Sequence, residues 1–165
     1  MKKLSFFLMA MLMSVMSFAA EATATISFAN KAQRTEYSTS KQVWEQNGIV
    51  VTNEKASSTS NVGDYFNPAR FYKSSKVTIQ CTLGNIKKIE ISGCGASDKT
   101  TPWNTNGDAV VIGTSATITP KSTSDTYTIA SLNGQARAGQ MVVTYEVSDE
   151  GFVATPAIEG EQYFK

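Results

Sequence analysis

Hydrophobic and polar residues alternate one by one along most of the chain that follows its N-terminal segment. The clearest example is the segment MVVTYEV, in which Met141, Val143, Tyr145 and Val147 share one face and the intervening side chains share the other. A period of two is the pattern of a β-strand that has one buried and one solvent-facing side. The alternation therefore predicts a β-rich chain whose last clear strand covers residues 140–147.

Turn-forming pairs such as Asn47-Gly48 and Asn133-Gly134 separate the alternating segments, and no segment has the pattern of a long helix. Short strands that recur about every 8 to 12 residues are typical of an all-β sandwich. We therefore predict a single antiparallel β-sandwich domain over residues 20–148. Its predicted strands cover residues 23–28, 42–44, 49–53, 69–72, 76–82, 86–92, 110–112, 116–119, 126–131 and 140–147.

The N-terminal segment MKKLSFFLMAMLMSVMSFAA has the features of a cleaved signal peptide. Lys2 and Lys3 precede an apolar run, and small residues lead up to Ala19, after which we expect cleavage, with Ala22 as the alternative. The apolar run is shorter than the roughly 20 residues that span a bilayer. We expect a secreted protein, located in the periplasm, at the cell surface or outside the cell, whose mature form is not inserted in a membrane.

Charge and composition narrow the function classes. Without residues 1–19 the formal net charge falls from +1 to −1, because only Lys2 and Lys3 are removed. A nearly neutral chain offers no electrostatic surface for nucleic acid or anionic lipid, so we expect neither partner. The chain contains no histidine, the commonest general base and metal ligand, and it has no Gly-x-Ser-x-Gly motif. We predict that it is not an enzyme and has no catalytic residue, no metal ligand and no cofactor.

The two cysteines, Cys81 and Cys94, raise the question of a disulfide in an oxidising compartment. If residues 77–82 and 86–92 form a hairpin, residue 81 lies opposite residue 87 and Cys94 lies some seven residues further along. At about 3.3 Å per residue the two cysteines are then roughly 20 Å apart or more, too far to bridge. Two free thiols are the alternative that this hairpin favours, and a disulfide requires that the two strands are not neighbours.

Several segments together resemble a known kind of domain: TISFAN, VWEQNGIVVTNEKASS, ARFYKSSKVTI, NIKKIEISG and GQMVVTYEV. Their order is similar to that of a β-sandwich domain, related to jelly-roll carbohydrate-binding modules, that recurs in secreted multi-domain proteins of Bacteroidota. The resemblance covers residues 24–148. It implies a jelly-roll-like fold and a non-catalytic module that binds polysaccharide or another extracellular polymer.

The C-terminal segment FVATPAIEGEQYFK resembles the opening of a small β-module found at the C-terminus of β-hexosaminidases, where a TP-x-I segment leads into the first strand. We assign residues 149–165 to a linker or to the truncated start of such a module. We favour a fragment or truncated homologue of a longer protein, whose neighbouring domains are then partners, over a short frayed tail.

Sugar-binding modules stack an aromatic ring on a pyranose while polar groups hold its hydroxyls. Trp103, in the polar segment DKTTPWNTNGDA with Asn104 beside it, is the first candidate for such a ring. The alternative for Trp103 is that its indole folds back as a lid over one end of the sandwich. An exposed indole favours glycan binding, and a buried one favours a structural or adhesin-like spacer that binds no small ligand. Trp44 is expected to pack in the core or at its rim.

A second group of candidate ligand-binding residues precedes the strand over residues 76–82. Tyr65 lies in a loop, and Arg70 and Tyr72 share one face, which favours an arginine–aromatic pair on the outer surface. Phe71 or Tyr72 must then belong to the core. The alternative is an ordinary solvated face. The oxygen-rich segments 61–64 and 104–108 are candidates for a structural calcium site, against the alternative of ordinary turns.

Overall fold

The computed structural model describes residues 20–147, and within that range it confirms an all-β antiparallel sandwich. Three short 3₁₀ helices, Lys31–Gln33, Ser97–Lys99 and Thr101–Asn104, lie between strands. The twelve strands are β1 (Glu21–Ser27), β2 (Arg34–Tyr37), β3 (Lys41–Gln46), β4 (Ile49–Glu54), β5 (Ala69–Phe71), β6 (Lys76–Cys81), β7 (Gly84–Ser92), β8 (Ala109–Ile112), β9 (Ser115–Ile118), β10 (Thr126–Ile129), β11 (Ala136–Ala138) and β12 (Gln140–Val147).

Two five-stranded sheets and a two-stranded ribbon make up the domain. The first sheet has the order β1-β12-β7-β9-β8, the second has the order β10-β6-β4-β3-β2, and β5 pairs with β11 in the ribbon. All of these pairings are antiparallel. The chain crosses between the sheets after β1, β6 and β9, and it returns from β10 to β12 through the ribbon strand β11, so strands that follow each other in sequence are often not neighbours.

The core lies between the sheets and follows directly from the alternation. Ile26, Ile89 and Met141 point inward from the first sheet, and Val51 and Ile79 point inward from the second, all without exposed surface. Burying such side chains contributes about 1.5 to 3 kcal/mol each, which is the main force that holds the sheets together. The outward positions on the same strands are mostly polar, so each sheet keeps one wetted face.

The sandwich has two distinct ends. β1 begins and β12 finishes at the same end, where Val147 N donates to Ala20 O over 2.9 Å, and we call this the proximal end. β3 begins and β4 finishes at the opposite end, where Lys41 pairs with Glu54, and we call this the distal end. The β5–β11 ribbon and the helix Thr101–Asn104 close the distal end, with Phe71 and Trp103 buried beneath them. The chain therefore enters and leaves this domain at the end opposite its ribbon.

The hairpin considered for residues 77–82 and 86–92 does not form. β6 pairs with β4 and β10 in the second sheet, whereas β7 pairs with β12 and β9 in the first. The short connection Thr82-Leu83 carries the chain across the sandwich instead of turning it back within one sheet. Cys81 and Cys94 are both buried and both free, so the two-thiol alternative holds, although not for the reason that the hairpin supplied.

Two strands were missed in the sequence, β2 and β11. β2 is an edge strand whose segment, RTEY, is almost wholly polar, and β11 contains two alanines, which have little strand preference. Both form because a neighbour pairs with them, a contact that no local pattern shows. The predicted signal peptide, residues 1–19, and the predicted C-terminal segment, residues 149–165, lie outside the described residues. Within residues 20–147, no helix is long and apolar enough to cross a membrane.

Candidate functional site

Six side chains near the distal end form one contiguous surface, which we call the tyrosine–arginine surface. Tyr37 and Tyr65 are its most exposed members, at 42% and 39% of their full accessibility. The other members are partly buried, and their arginine–aromatic contacts form two groups, Arg34 with Tyr37 and Phe66, and Arg70 with Tyr65, which the adjacent loop residues 65 and 66 join. The full set is Arg34, Tyr37, Tyr65, Phe66, Arg70 and Tyr72.

A long loop between β4 and β5 supplies the middle of this surface, and the body of the sandwich holds that loop in place. Val62 N donates to Thr39 O over 2.8 Å, and Tyr37 Oη donates to Val62 O over 3.4 Å. Val62 itself is 3% exposed, so it anchors the loop as an apolar plug. The exposed residues that follow it are therefore presented from a fixed point.

Two buried amides tie the loop and β5 to the second sheet from beneath. Gln42 and Asn53 are cross-strand partners on β3 and β4 without exposed surface. Gln42 Nε2 donates to Gly63 O over 3.3 Å, and Asn53 Nδ2 donates to Arg70 O over 3.4 Å. Their side-chain oxygens have no hydrogen-bond partner in the described part of the chain. Buried polar atoms are nearly always hydrogen-bonded, and exceptions are expected at functional sites. The position of these two amides beneath an exposed aromatic cluster fits that expectation.

Gly63 allows Tyr65 and Tyr72 to approach the backbone closely. A Cβ on residue 63 would lie 2.6 Å from Tyr65 Cε2 and 3.3 Å from Tyr72 Oη. The first distance is shorter than any ordinary contact, so the ring of Tyr65 occupies its present place only because residue 63 is a glycine. Both tyrosines therefore meet at this one backbone position.

Arg34 holds together the part of the surface that contains Tyr37 and Phe66. Its guanidinium carbon lies 4.4 Å from the ring centroid of Tyr37 and 4.1 Å from that of Phe66. Arg34 Nη1 also forms an ion pair with Asp64 Oδ1 at 2.7 Å, and the arginine side chain is only 13% exposed. The contacts fix the arginine and orient both rings, since a guanidinium over a ring face is attracted to its quadrupole.

Arg70 makes the equivalent contact with Tyr65. Its guanidinium carbon lies 3.7 Å from the ring centroid of Tyr65. An arginine–aromatic contact is thus present, but its ring is Tyr65 and not Tyr72, the partner that the shared face of Arg70 and Tyr72 favoured. Phe71, the next residue, has no exposed surface and belongs to the core, as the alternation of faces required.

The structure brings together three of the five predicted ligand-binding residues, Tyr65, Arg70 and Tyr72, and separates the other two from them. Trp103 as an exposed stacking ring is wrong, because the indole has no exposed surface. The helix Thr101–Asn104 turns the indole inward, where Nε1 donates to Arg137 O over 2.9 Å and the ring packs against Phe71 at 5.0 Å between centroids. The indole is the lid that the alternative described.

The side chain of Asn104 is exposed, but it forms a hydrogen bond within its own loop. Its Oδ1 accepts a hydrogen bond from Ala109 N over 2.9 Å, which fixes the turn that leads into β8. It has no aromatic platform beside it, since Trp103 points into the core. Trp44 is fully buried, as predicted, and packs against Phe28 at 4.8 Å between ring centroids.

The oxygens of the two candidate calcium segments are engaged by other groups. Asn61 Oδ1 accepts from Lys55 Nζ at 2.9 Å, and Asp64 is paired with Arg34. Asp108 Oδ1 accepts from Tyr127 Oη over 2.8 Å. Two of these partners are cations, which repel a metal ion from that segment. Within residues 20–147 there is no group of three or more acidic, cysteine or histidine side chains that could hold a metal.

An open groove of about 380 Å³ lies at the proximal end, between the β6–β7 connection and the segment that precedes β10. It has no aromatic lining, so it offers no platform for a sugar ring. Its lining residues are Cys81, Thr82, Gly84, Asn85, Ser124 and Asp125. We therefore place the candidate site at the tyrosine–arginine surface.

Sequence reasoning missed Arg34, Tyr37 and Phe66 as members of the site. Arg34 and Tyr37 lie in the polar segment of β2, where the only signal was an arginine three residues before a tyrosine. No protein-family model, no curated protein and no solved structure matches this chain. The geometry of the described residues is therefore the basis for a function.

Proposed function

We propose that this chain is a non-catalytic exported module that binds glycan or another extracellular polymer on its tyrosine–arginine surface. The observation that carries the proposal is the pair of exposed rings, Tyr37 and Tyr65, on one contiguous surface whose backbone and arginines are held in place. Exposed aromatic rings beside hydrogen-bonding groups are what a pyranose requires.

The rings are positioned before any ligand arrives. Arg34 and Arg70 lie against Tyr37 and Tyr65, and Gly63 lets the ring of Tyr65 settle onto the backbone. Immobilising a free side chain on binding costs about 0.5 to 1.5 kcal/mol, and a ring that is already held avoids much of that cost. Asp64 and the two guanidinium groups supply acceptors and donors for sugar hydroxyls around the rings.

The location of the surface suits a module within a larger protein. β1 begins and β12 finishes at the proximal end, whereas Tyr65 and Arg70 lie toward the distal end. A domain attached at its proximal end presents the tyrosine–arginine surface away from its attachment. This arrangement leaves the surface accessible to a long polymer.

Chemistry at the surface supports binding without catalysis. The chain has no histidine, and Asp64, the carboxylate of this region, is ion-paired with Arg34. Both thiols are buried, and burial raises the pKa of Cys94, which disfavours the nucleophilic thiolate.

The test is affinity gel electrophoresis of the full chain through a panel of neutral and acidic polysaccharides. Tyr65→Ala and Tyr37→Ala are expected to weaken the retardation about tenfold or more, since each removes an apolar platform. Val110→Ala is the matched control, because Val110 is 65% exposed on the edge strand β8, away from the surface. Retardation that both tyrosine variants retain would contradict the proposed site.

A spacer that binds no small ligand is the second candidate, and the burial of Trp103 favours it. It predicts that the folded chain is retarded by no polymer in the panel. That result, obtained with a chain whose cooperative unfolding shows that it is folded, would overturn glycan binding and support the spacer.

A further inference from the structure

The β5–β11 ribbon places two arginines directly opposite each other. Arg70 on β5 is the register partner of Arg137 on β11. Their neighbours on both strands, Ala69, Phe71 and the two alanines of β11, point into the core without exposed surface. Because side chains alternate along a strand, Arg70 and Arg137 both point away from the core on the outer face of the ribbon.

Neither guanidinium has a counter-ion in the described part of the chain. Within residues 20–147, no carboxylate lies within ion-pair distance of Arg70 or Arg137, and neither guanidinium donates a hydrogen bond. Arg137 Nε is buried with no hydrogen-bond partner there. Like charges placed opposite each other on paired strands destabilise a sheet. The third arginine of the chain, Arg34, is by contrast paired with Asp64 at 2.7 Å.

The surroundings do not neutralise the pair. Lys99 lowers the pKa of Asp98 more than the charge of Arg137 does, and the carboxylate of Asp98 pairs with Lys99 at 2.7 Å. The pKa of Asp98 is lowered mainly by the hydrogen bond from Lys99, and the charge of Arg137 is the weakest of the causes. The outer face of the ribbon therefore keeps an excess of positive charge, next to the exposed ring of Tyr65.

We infer that Arg70 and Arg137 bind the anionic group, carboxylate or sulfate, of an acidic sugar that packs against the exposed part of the Tyr65 ring, which Arg70 covers on one face. The inference rests on the proposed function and names the class of glycan. A guanidinium matches the planar geometry of a carboxylate and forms charge-assisted hydrogen bonds that are about twice as strong as neutral ones. An anion between the two arginines also relieves their repulsion, and Tyr65 supplies the apolar platform that a free inorganic anion would not use.

The chain has three arginines, so side-chain Nε–H signals in proton–nitrogen correlation spectra number at most three and can be assigned with Arg→Lys variants. The full chain is titrated with galactose, galacturonate and galactose sulfated on its primary hydroxyl, a series that differs at one position of the sugar. Both charged sugars, or one of them, are expected to shift Arg70 and Arg137 more than they shift Arg34, whose guanidinium is already paired with Asp64, and more than neutral galactose shifts any arginine. Which of the two sugars acts distinguishes carboxylate from sulfate. Equal shifts at all three arginines, or none, would overturn the inference.

Polymer binding provides the second arm, with polygalacturonate and its methyl-esterified form as probes. Arg70→Gln and Arg137→Gln are each expected to weaken binding of the acidic polymer about tenfold, whereas Lys121→Gln, which removes a charge elsewhere, leaves it unchanged. Raising the salt concentration from about 0.1 M to about 1 M shortens the Debye length from about 10 Å to about 3 Å. It should therefore weaken binding of the acidic polymer more than binding of the methyl-esterified form.

The two arms separate the failure of this inference from the failure of the proposed function. Equal binding of both polymers, lost in Tyr65→Ala but kept in both arginine variants, would overturn the anion site and leave glycan binding intact. Selective shifts of Arg70 and Arg137 with no polymer bound would overturn polymer binding and support the anion site.

Discussion

Comparing Trp103→Phe with Trp44→Phe tests the structural role of the buried indole. Both tryptophans have no exposed surface, and both pack against Phe71, at 5.0 Å and 6.0 Å between ring centroids. They differ in one hydrogen bond. Trp103 Nε1 donates to Arg137 O over 2.9 Å, whereas Trp44 Nε1 has no partner among residues 20–147. The two substitutions therefore remove similar volumes, but only Trp103→Phe breaks a hydrogen bond.

The expected difference follows from that bond. Trp103→Phe leaves the carbonyl of Arg137 without its donor, which costs about 1 to 3 kcal/mol beyond the volume change. Trp44→Phe removes a buried donor that is already unpaired, so the volume change is its main cost. A difference of about 2 kcal/mol is a large part of the total stability of about 5 to 15 kcal/mol that domains have. At a urea m-value of about 2 kcal/mol/M, the two midpoints are about 1 M apart.

The assay is urea unfolding of the full chain followed by far-ultraviolet circular dichroism, because fluorescence changes when either tryptophan is lost. Trp103→Ala extends the series, and deletion of a fully buried tryptophan is expected to cost about 3 to 5 kcal/mol. The reasoning is refuted if Trp44→Phe is at least as destabilising as Trp103→Phe. It is also refuted if Trp103→Ala keeps its stability and loses only polymer binding.

Three further predictions concern single side chains. Arg137→Gln should raise the free energy of unfolding in urea by about 0.2 to 1 kcal/mol, since it relieves a like-charge pair, and a loss of stability would contradict this. Burial, followed by the hydrogen bond to Asp108, raises the pKa of Tyr127 above its ordinary value of 10.0. The stability that the protonated Tyr127 contributes is therefore complete below pH 10 and is lost as the pH rises toward the pKa of the folded state. A pH series of urea curves should show this alkaline loss, and Tyr127→Phe should remove it. Gly63→Ala should displace Tyr65 and weaken polymer retardation, with stability changed by less than about 1 kcal/mol because the ring can move into solvent.

The anion site has a consequence for stability as well as for binding. Arg70 and Arg137, which have no ion-pair partner among residues 20–147, lie opposite each other on a ribbon of three-residue strands, and their repulsion weakens the element that closes the distal end. A bound anion should offset that repulsion. A ligand that binds only the folded state stabilises it by RT ln(1 + L/Kd), where L is the free ligand concentration, so the gain grows with the logarithm of that concentration. Acidic sugars should therefore raise the unfolding temperature of the chain, and neutral sugars should raise it less.

The alternation of side chains by itself determined the fold class. It predicted most strands and identified the inward face of β6 and that of β12 as far as Tyr145, because facing is a local property of an extended chain. Val147, predicted on the same face, is 38% exposed beyond a register shift between Thr144 and Tyr145. The sequence also predicted that Tyr65, Arg70 and Tyr72 belong together, since they lie within one short segment. The choice between Phe71 and Tyr72 for the core required only that adjacent side chains point to opposite faces.

Only the tertiary structure decided which strands are neighbours and what lies at the distal end. The segments of β6 and β7 are compatible with a hairpin, but each strand pairs within a different sheet, with partners that lie far away in the chain. The indole of Trp103 is buried because Phe71 and the carbonyl of Arg137, from distant segments, are there to receive it. Arg70 and Arg137 become partners for the same reason: strand pairing joins residues by position in space, and a local pattern of polarity carries no record of it.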